Sequence, residues 1–202
     1  GKAVGVALGD GRRFMGKDVV CNVTPTQLYG RLLAPEHSPE PLRQQAAAYR
    51  YGKGNMQIHV ALSAAPQWAN KALDEVVYLH LTPGMDGVSR AVNEAERGLL
   101  PAEGTIVVCN PTQLDAPRAP AGGAVLWIQL PECPRQVKGD ALGQIAAPAD
   151  GQWNADIRER YADRVMERLG KFIPNLQQSI VARTVISPGA SSAGRRRSTA
   201  WM

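Results

Sequence analysis

At 202 residues, of which 44% are hydrophobic, the chain is long enough to bury the core of one large domain or two small ones. Three of its five net positive charges come from the arginines at 195–197, and aromatic residues make up only 5%, so the composition argues against a nucleic-acid-binding protein. The sequence also lacks a run of about eighteen apolar residues, which predicts no transmembrane segment and at most a peripheral contact with a membrane.

The first predicted element is a β-hairpin. Residues 3–8 form an apolar run before Gly9-Asp10-Gly11, and residues 12–16 follow as the predicted returning strand, because an Asp-Gly pair between two such segments is a strong hairpin signal. Residues 19–22 continue as a third strand. The chain is therefore predicted to open with a small β-meander.

Helices are predicted next, over residues 28–33 and 41–50, because Pro41 suits a first helical turn and good helix formers follow it. Residues 55–62 then alternate between apolar and polar side chains, which is typical of a strand with one buried face. A further strand over residues 76–81 completes this part of the chain.

A third helix begins where Asp86 is predicted to cap it, and it ends near Gly98. The next strands are predicted over residues 105–109 and 124–130, and residues 131–151 are predicted to form a loop. The apolar stripe of the helix consists of Val88, Ala91, Val92, Ala95 and Leu99.

The longest predicted helix follows Asn154, which is predicted to cap it. Residues 180–186 form the last strand, and residues 189–202 have the composition of a disordered tail. Because strands come in meanders and pairs, we predict an α+β fold with a mixed or mainly antiparallel sheet and packed helices. The buried stripe of the longest helix consists of Ile157, Tyr161, Val165, Leu169 and Phe172.

The three cysteines, Cys21, Cys109 and Cys133, are odd in number and lack C-x-x-C spacing. We therefore predict buried free thiols, a reducing compartment and a cytoplasmic location. The opening residues show no signal-peptide pattern. Since they also begin without methionine and inside a predicted strand, we expect the chain to be cut from something longer.

Motifs for metal binding or catalysis are weak. The histidines 37, 59 and 80 have no partner at metal-ligand spacing, so no metal site is predicted. The glycines at 5, 9 and 11 serve the hairpin, because no helix follows them to hold a pyrophosphate. Ser63 lacks the G-x-S-x-G surroundings of a hydrolase nucleophile. No catalytic residue is assigned.

Two other features are open to a functional interpretation. A string of residues at 18–28, DVVCNVTPTQL, is nearly repeated at 107–114 as VVCNPTQL, and we interpret this repeat as coincidence because the surrounding residues differ. Trp68 and Trp127 are candidate walls of a substrate cavity, and for each of them ordinary core packing is the alternative.

Taken together, four segments resemble the phytoene dehydrogenase-like, or carotenoid desaturase-related, FAD-dependent oxidoreductases. The resemblance spans residues 1–188 and depends on the order of the segments as much as on any one motif. The segments are AVGVALGDGRRFMGKDVVCNVTP, NMQIHVALSAAPQW, GTIVVCNPTQLDAPRAPAGGAVLWIQLPECP and IRERYADRVMERLGKFIPNLQQSIVARTVISP.

The resemblance implies an FAD domain that is interrupted by a substrate domain. Residues 1–22 would be the meander and returning strand of an incomplete FAD-binding domain, residues 23–188 the substrate domain, and residues 189–202 a tail. The implied reaction passes a hydride from an apolar or polyene-like substrate to flavin. Cys21, Asn22 and Thr24 would lie near the flavin, and Trp68 and Trp127 would contact the substrate. In this interpretation residues 107–114 are scaffold.

The family's G-x-G-x-x-G unit and its C-terminal glycine-rich segment are absent from the sequence. The chain alone is therefore predicted to bind FAD poorly and to be inactive, as a truncated or frameshifted fragment that lacks its flavin-domain half. The alternative is a non-catalytic binding or assembly module that pairs with a separate flavin-bearing chain. A third interpretation, an amine oxidase of the same superfamily, requires a paired-aromatic cage whose supporting segment the sequence lacks.

Overall fold

The computed structural model describes residues 2–188, so the predicted tail at 189–202 lies outside the described residues. The chain divides into two compact units between Gly52 and Lys53. The sequence placed a functional boundary earlier, after Asn22, and that boundary stays a prediction.

The first unit begins with the predicted hairpin. Strands β1 (Gly5–Ala7) and β2 (Arg13–Met15) pair antiparallel, and Gly11 adopts a φ of +88° in the turn between them. The predicted third strand over residues 19–22 is wrong: this segment is irregular, and Val20 is 95% exposed. A strand needs a neighbour to satisfy its backbone, and no described strand pairs with this segment. The predicted meander is therefore a two-stranded hairpin.

The rest of the first unit is helical, as predicted, but in short pieces. Helix α1 (Pro25–Gln27) runs into a π-helical turn at Leu28–Leu32, and a 3₁₀ turn at Pro35–His37 precedes helix α2 (Glu40–Ala47). Prolines restrict the residues before them and lack an N–H donor, so they favour the first turns and interrupt longer helices.

The second unit is built on a five-stranded sheet with the order β4-β6-β7-β3-β9, in which every neighbouring pair is antiparallel. A short parallel pair of strands, β5 and β8, lies apart from it and was not predicted. In chain order the strands are β3 (Gly54–Leu62), β4 (Tyr78–Leu81), β5 (Leu99–Leu100), β6 (Ile106–Cys109), β7 (Ala124–Cys133), β8 (Gly139–Asp140) and β9 (Ile180–Ile186).

The described part of the second unit contains three α-helices: α3 (Gly84–Glu96), α4 (Ala155–Gly170) and α5 (Leu176–Ser179). Asn154 caps α4 as predicted, because its side-chain oxygen accepts a hydrogen bond of 3.0 Å from the N–H of Ile157. The predicted cap at Asp86 is wrong. Asp86 lies within the first turn of α3, where its charge still suits the positive helix end, and the cap position is Pro83.

The core of the second unit lies between α4 and one face of the sheet. Alternate residues of β3 and β7 point into it, and residues four apart on α4 meet them, as the two periodicities predict. Phe172 departs from the prediction, because it follows the end of α4 and is 39% exposed. The fully buried members include Met56, Ile58, Leu126, Ile128, Ile157 and Leu169.

These elements confirm the predicted α+β class with a mainly antiparallel sheet. Among residues 2–188, no helix combines the length and the apolar character needed to cross a membrane. Each large side chain that folding fully buries contributes roughly 1.5–3 kcal/mol, so the sheet and α4 carry most of the packing energy of this unit.

Candidate functional site

The side of the sheet that faces away from α4 carries a mixture of aromatic and polar side chains, and we call it the open face. The strand pairing places one residue from each of the five strands in a single row across it. In the order of the strands, this central row is Tyr78, Cys109, Trp127, His59 and Thr184.

A second row lies beside the central row, at the position two residues away on each strand. Its members differ in exposure: Val107 is only 3% exposed, whereas Ile186 at the sheet edge is 39% exposed. Gln129 and Gln57 are direct cross-strand partners in the middle of this row, where each is partly buried. The full row is His80, Val107, Gln129, Gln57 and Ile186.

Three rings meet at one corner of the open face. The ring centroids of Tyr78 and Trp127 are 6.3 Å apart with planes inclined by 38°, and the rings of Tyr78 and His80 are 5.5 Å apart. Tilted arrangements at these distances are favourable for aromatic pairs. Tyr78 is nevertheless 49% exposed, so the corner presents flat apolar surface that a ligand can cover.

Burial shifts the pKa values of two groups in the central row, His59 and Cys109, towards the uncharged form. Burial lowers the pKa of His59, which keeps the imidazole neutral with one donor and one acceptor. Burial raises the pKa of the Cys109 thiol, and the positive charge of Arg118 offsets this effect only in part. Cys109 is therefore a thiol and not an activated nucleophile, and the row offers packing and hydrogen bonding instead of acid–base catalysis.

The structure places the two predicted substrate-contacting tryptophans on opposite sides of the sheet. Trp127 is partly buried at the middle of the open face. Trp68 is 2% exposed and packs within the core, which is the alternative interpretation of this residue. A substrate contact for Trp68 stays a prediction, and only Trp127 belongs to the candidate site.

Sequence reasoning missed the other members of the open face. Cys109 belongs to the repeated string that was interpreted as scaffold, yet its position in the register is between Tyr78 and Trp127. The available signal was the alternation within each strand, which indicates the residues that point away from the core. The order of the strands was needed to bring those residues together.

The three predicted flavin-proximal residues lie in the first unit. Cys21 and Asn22 are exposed in an irregular segment, which contradicts the prediction that the Cys21 thiol is buried. Thr24 precedes α1, and its hydroxyl accepts a hydrogen bond of 3.0 Å from Tyr51. Their role in cofactor binding stays a prediction.

The described residues do not by themselves fit a whole FAD molecule. A dinucleotide pyrophosphate is normally held where a glycine-rich turn joins a strand to the start of a long helix. Gly11 instead closes the hairpin by donating its N–H to Leu8, and α1 has only three residues. A flavin would need further groups to hold its phosphates.

The first unit also contains an open pocket of about 510 Å³, next to helix α2. Arg31 and Arg43 contribute positive charge to its lining, but the Arg43 guanidinium already pairs with Glu40 at 3.2 Å. An exposed pair of this kind contributes little binding energy. We assign no ligand to this pocket.

A charged cluster in the second unit links β8 to α4. The Asp140 carboxylate is fully buried and accepts hydrogen bonds of 2.8 and 2.7 Å from the Arg164 guanidinium. Burial alone would raise the pKa of Asp140, but the hydrogen bonds from Arg164 and from the N–H groups of Gln144 and Ile145 lower it overall. Because these groups satisfy one another, the cluster is structural.

Within residues 2–188, no group of three or more histidine, cysteine, aspartate or glutamate side chains could hold a metal ion. A cavity of about 20 Å³ lies beside Glu132, Tyr161 and Arg164, which is space for about one water molecule. Glu132 accepts hydrogen bonds from both the N–H and the hydroxyl of Thr105, so it too has a structural partner. The open face therefore remains the candidate site.

The larger unit is thus an α+β domain built on an antiparallel sheet, and the open face is its candidate ligand surface. No protein-family model matches the chain. Among curated proteins, prolycopene isomerase, chloroplastic, of Arabidopsis thaliana is 29% identical over 189 residues, which is 93% of this chain and 28% of that protein. The Daucus carota protein of the same name is 25% identical over 189 residues, which is 93% of this chain and 27% of that protein.

A mouse relative has a different name. Pyridine nucleotide-disulfide oxidoreductase domain-containing protein 2 of Mus musculus is 23% identical over 198 residues, which is 93% of this chain and 32% of that protein. The chain thus spans less than a third of the length of these relatives. The similarities support a carotenoid-desaturase-like oxidoreductase family, in agreement with the resemblance found in the sequence.

Proposed function

We propose that this chain is the substrate-binding part of an FAD-dependent oxidoreductase of the phytoene dehydrogenase-like kind. The observation that carries the proposal is the aromatic corner of the open face, where Tyr78 and Trp127 lie on either side of Cys109 in one row. The distant similarity over 93% of the chain to two kinds of relative supports the same family.

In the proposed dehydrogenation, a new C=C bond forms between two neighbouring carbons of an apolar, polyene-like substrate. One carbon loses a hydride and the other a proton, and FAD, as the oxidant, would take up both. The residues described here bind and orient the substrate and keep water away from it. Because the flavin supplies the redox chemistry, the reaction requires no acid–base pair on the open face. The pKa shifts of His59 and Cys109 towards their uncharged forms agree with this.

The names of the plant relatives favour a second reaction at the same surface. An isomerase leaves the composition of its substrate unchanged, so product and substrate have the same number of hydrogens. A flat aromatic wall suits either reaction, because both act on a conjugated chain. Mass spectrometry of the product separates them: a loss of two hydrogens indicates dehydrogenation, and an unchanged mass indicates isomerisation.

The cofactor proposal is tested on a longer polypeptide, expressed from the coding sequence with its flanking regions. We expect the purified protein to be yellow and to show flavin absorbance, because the missing phosphate-binding groups would then be supplied. The 202-residue chain, purified in the same way, is the control and is expected to carry little flavin. A colourless longer protein that gains no flavin on reconstitution contradicts the proposal.

Replacing Trp127 with alanine in the active protein is expected to lower kcat/KM by about tenfold, which corresponds to about 1.4 kcal/mol. The physical reason is the loss of one side of the aromatic corner against which a flat substrate packs. Phe172→Ala is the matched control, since Phe172 is also a partly exposed aromatic residue but follows α4. Unchanged KM and turnover in Trp127→Ala removes this residue from the site.

An assembly module is the second candidate function, and the exposed hairpin of the first unit favours it. Val6 and Phe14 are cross-strand partners that are 48% and 53% exposed. An isolated two-stranded hairpin is marginally stable, so such apolar surface suits contact with another protein surface. A separate flavin-bearing chain that co-purifies from the source lysate supports this candidate, and a single longer polypeptide supports the first.

The cytoplasmic location and a peripheral contact with a membrane are also proposals. All three cysteines among the described residues are free, which is usual in a reducing compartment. The exposed position of Cys21 also supports a reducing compartment, because an accessible thiol is readily oxidised elsewhere.

A further inference from the structure

The open face has an aromatic half and a polar half, and this division bears on the polarity of the ligand that fits it. The aromatic corner is formed by β4, β6 and β7, whereas the neighbouring residues of β7 and β3 carry amide and imidazole groups. His59 is the direct cross-strand partner of Trp127, and Gln57 is the partner of Gln129. Cross-strand partners have Cβ atoms about 5 Å apart, so the polar groups directly adjoin the aromatic wall.

The three polar groups have unused hydrogen-bonding capacity. Within residues 2–188, the side chains of Gln57, Gln129 and His59 make no hydrogen bond to another protein group, although all three are partly buried. Each glutamine amide offers donors and an acceptor, and the neutral imidazole offers one of each.

A pure hydrocarbon is a poor ligand for this half of the surface. It would remove the water from the amide and imidazole groups and return no hydrogen bond, which is unfavourable. A ligand with an oxygen atom at one end restores the lost hydrogen bond while its apolar part remains against Tyr78 and Trp127. The polar groups therefore select against a hydrocarbon in favour of an oxygenated analogue.

We propose that the open face binds an amphipathic substrate, with a flat conjugated hydrocarbon part on Trp127 and Tyr78 and a carbonyl or hydroxyl group on Gln57, Gln129 and His59. The inference rests on the proposed function, because it describes the substrate of the same surface. It goes beyond a polyene-like hydrocarbon by assigning an oxygen atom to one end of the substrate.

The test compares two small probes that differ by one atom: β-ionone, a conjugated ketone, and the hydrocarbon in which a CH₂ group replaces its carbonyl oxygen. Binding to the 202-residue chain is followed by quenching of tryptophan fluorescence, and the Trp127→Phe variant identifies the signal from the open face. We expect the ketone to bind about tenfold more tightly than the hydrocarbon, as one hydrogen bond allows.

The double variant Gln57→Leu/Gln129→Leu is expected to bring the two affinities to within about twofold to threefold of each other, because it removes both amide groups and leaves only His59 as a hydrogen-bonding group beside the aromatic wall. Gln178→Leu is the matched control and should keep the tenfold preference, since Gln178 is exposed on α5 and distant in sequence from both strands. Circular dichroism and the thermal midpoint establish that each variant is folded.

Three results would overturn the inference: equal affinities in the native chain, an unchanged preference in the double variant, or no saturable binding of either probe. These results are separate from the flavin test, because the probes are measured without a cofactor. A longer polypeptide that carries flavin but shows no preference for the ketone retains the proposed function and loses the inference about the substrate.

Discussion

Replacing Trp68 with alanine is expected to lower the free energy of unfolding by about 3–5 kcal/mol. Trp68 is 2% exposed and packs in the main core, and its backbone N–H donates to the Asp74 carboxylate at 3.2 Å. The next residue, Ala69, donates its N–H to the carbonyl of Phe172 at 2.8 Å, which ties this segment to the end of α4. Truncation therefore leaves a cavity that the surrounding structure cannot readily fill.

Urea denaturation followed by circular dichroism measures this effect, and Trp127→Ala is the matched control. Because Trp127 is partly exposed on the other side of the sheet, its truncation is expected to cost only about 1 kcal/mol. The two variants thus distinguish a tryptophan buried in the core from one on the open face, where a binding role is proposed. Equal losses of stability in the two variants would contradict the assignment.

Replacing Arg164 with methionine is expected to lower the free energy of unfolding by about 3 kcal/mol. The variant retains much of the side-chain volume but leaves the fully buried Asp140 carboxylate without the guanidinium that donates to both of its oxygens. An uncompensated buried charge is costly, and two backbone N–H groups cannot replace the lost cation. Urea denaturation near neutral pH measures the loss.

Arg97→Met is the matched control, since Arg97 is exposed at the end of α3 and its replacement is expected to change stability by less than about 0.5 kcal/mol. The double variant Asp140→Asn/Arg164→Met should recover part of the loss, because it removes the stranded charge. A single variant Arg164→Met that is as stable as the native chain would show that the pair contributes nothing.

The same pair predicts a pH dependence. The pKa of Asp140 is lower in the folded protein than in the unfolded chain, where an aspartate titrates near about 3.9. Its stabilising contribution is therefore fully present above about pH 4 and is lost as the pH falls through the lower folded-state value. We expect the native chain to lose more stability below about pH 4 than Asp140→Asn does, as measured by denaturation at a series of pH values.

The elements that were predicted well depend on short-range patterns. The alternation in β3 identifies both the strand and its buried face, because successive side chains of a strand point to opposite sides. The cap at Asn154 and the apolar stripe of α4 are likewise readable within a few turns of one helix. In each case the residues that interact are near neighbours in the chain.

The errors occur where a distant partner decides the structure. Residues 19–22 have the apolar composition of a strand but lack a neighbouring strand in the described chain. Strands β5 and β8 are two residues each, so no periodic pattern marks them, and they form only because Leu99 and Gly139 meet after folding. The buried pair of Asp140 and Arg164 has no motif, since its partners lie on different elements.

Sequence alone was sufficient to predict the α+β class and the buried faces of the long elements, because these follow from local periodicity and residue type. It named Trp68 and Trp127 equally as candidate binding residues, and for Trp127 this stays a prediction. The open face required the folded structure. Its central row brings together residues from five strands whose order differs from their order in the chain, from Tyr78 through Trp127 to Thr184. Hydrogen bonding between distant segments sets that register, and no pattern within one strand specifies its neighbour.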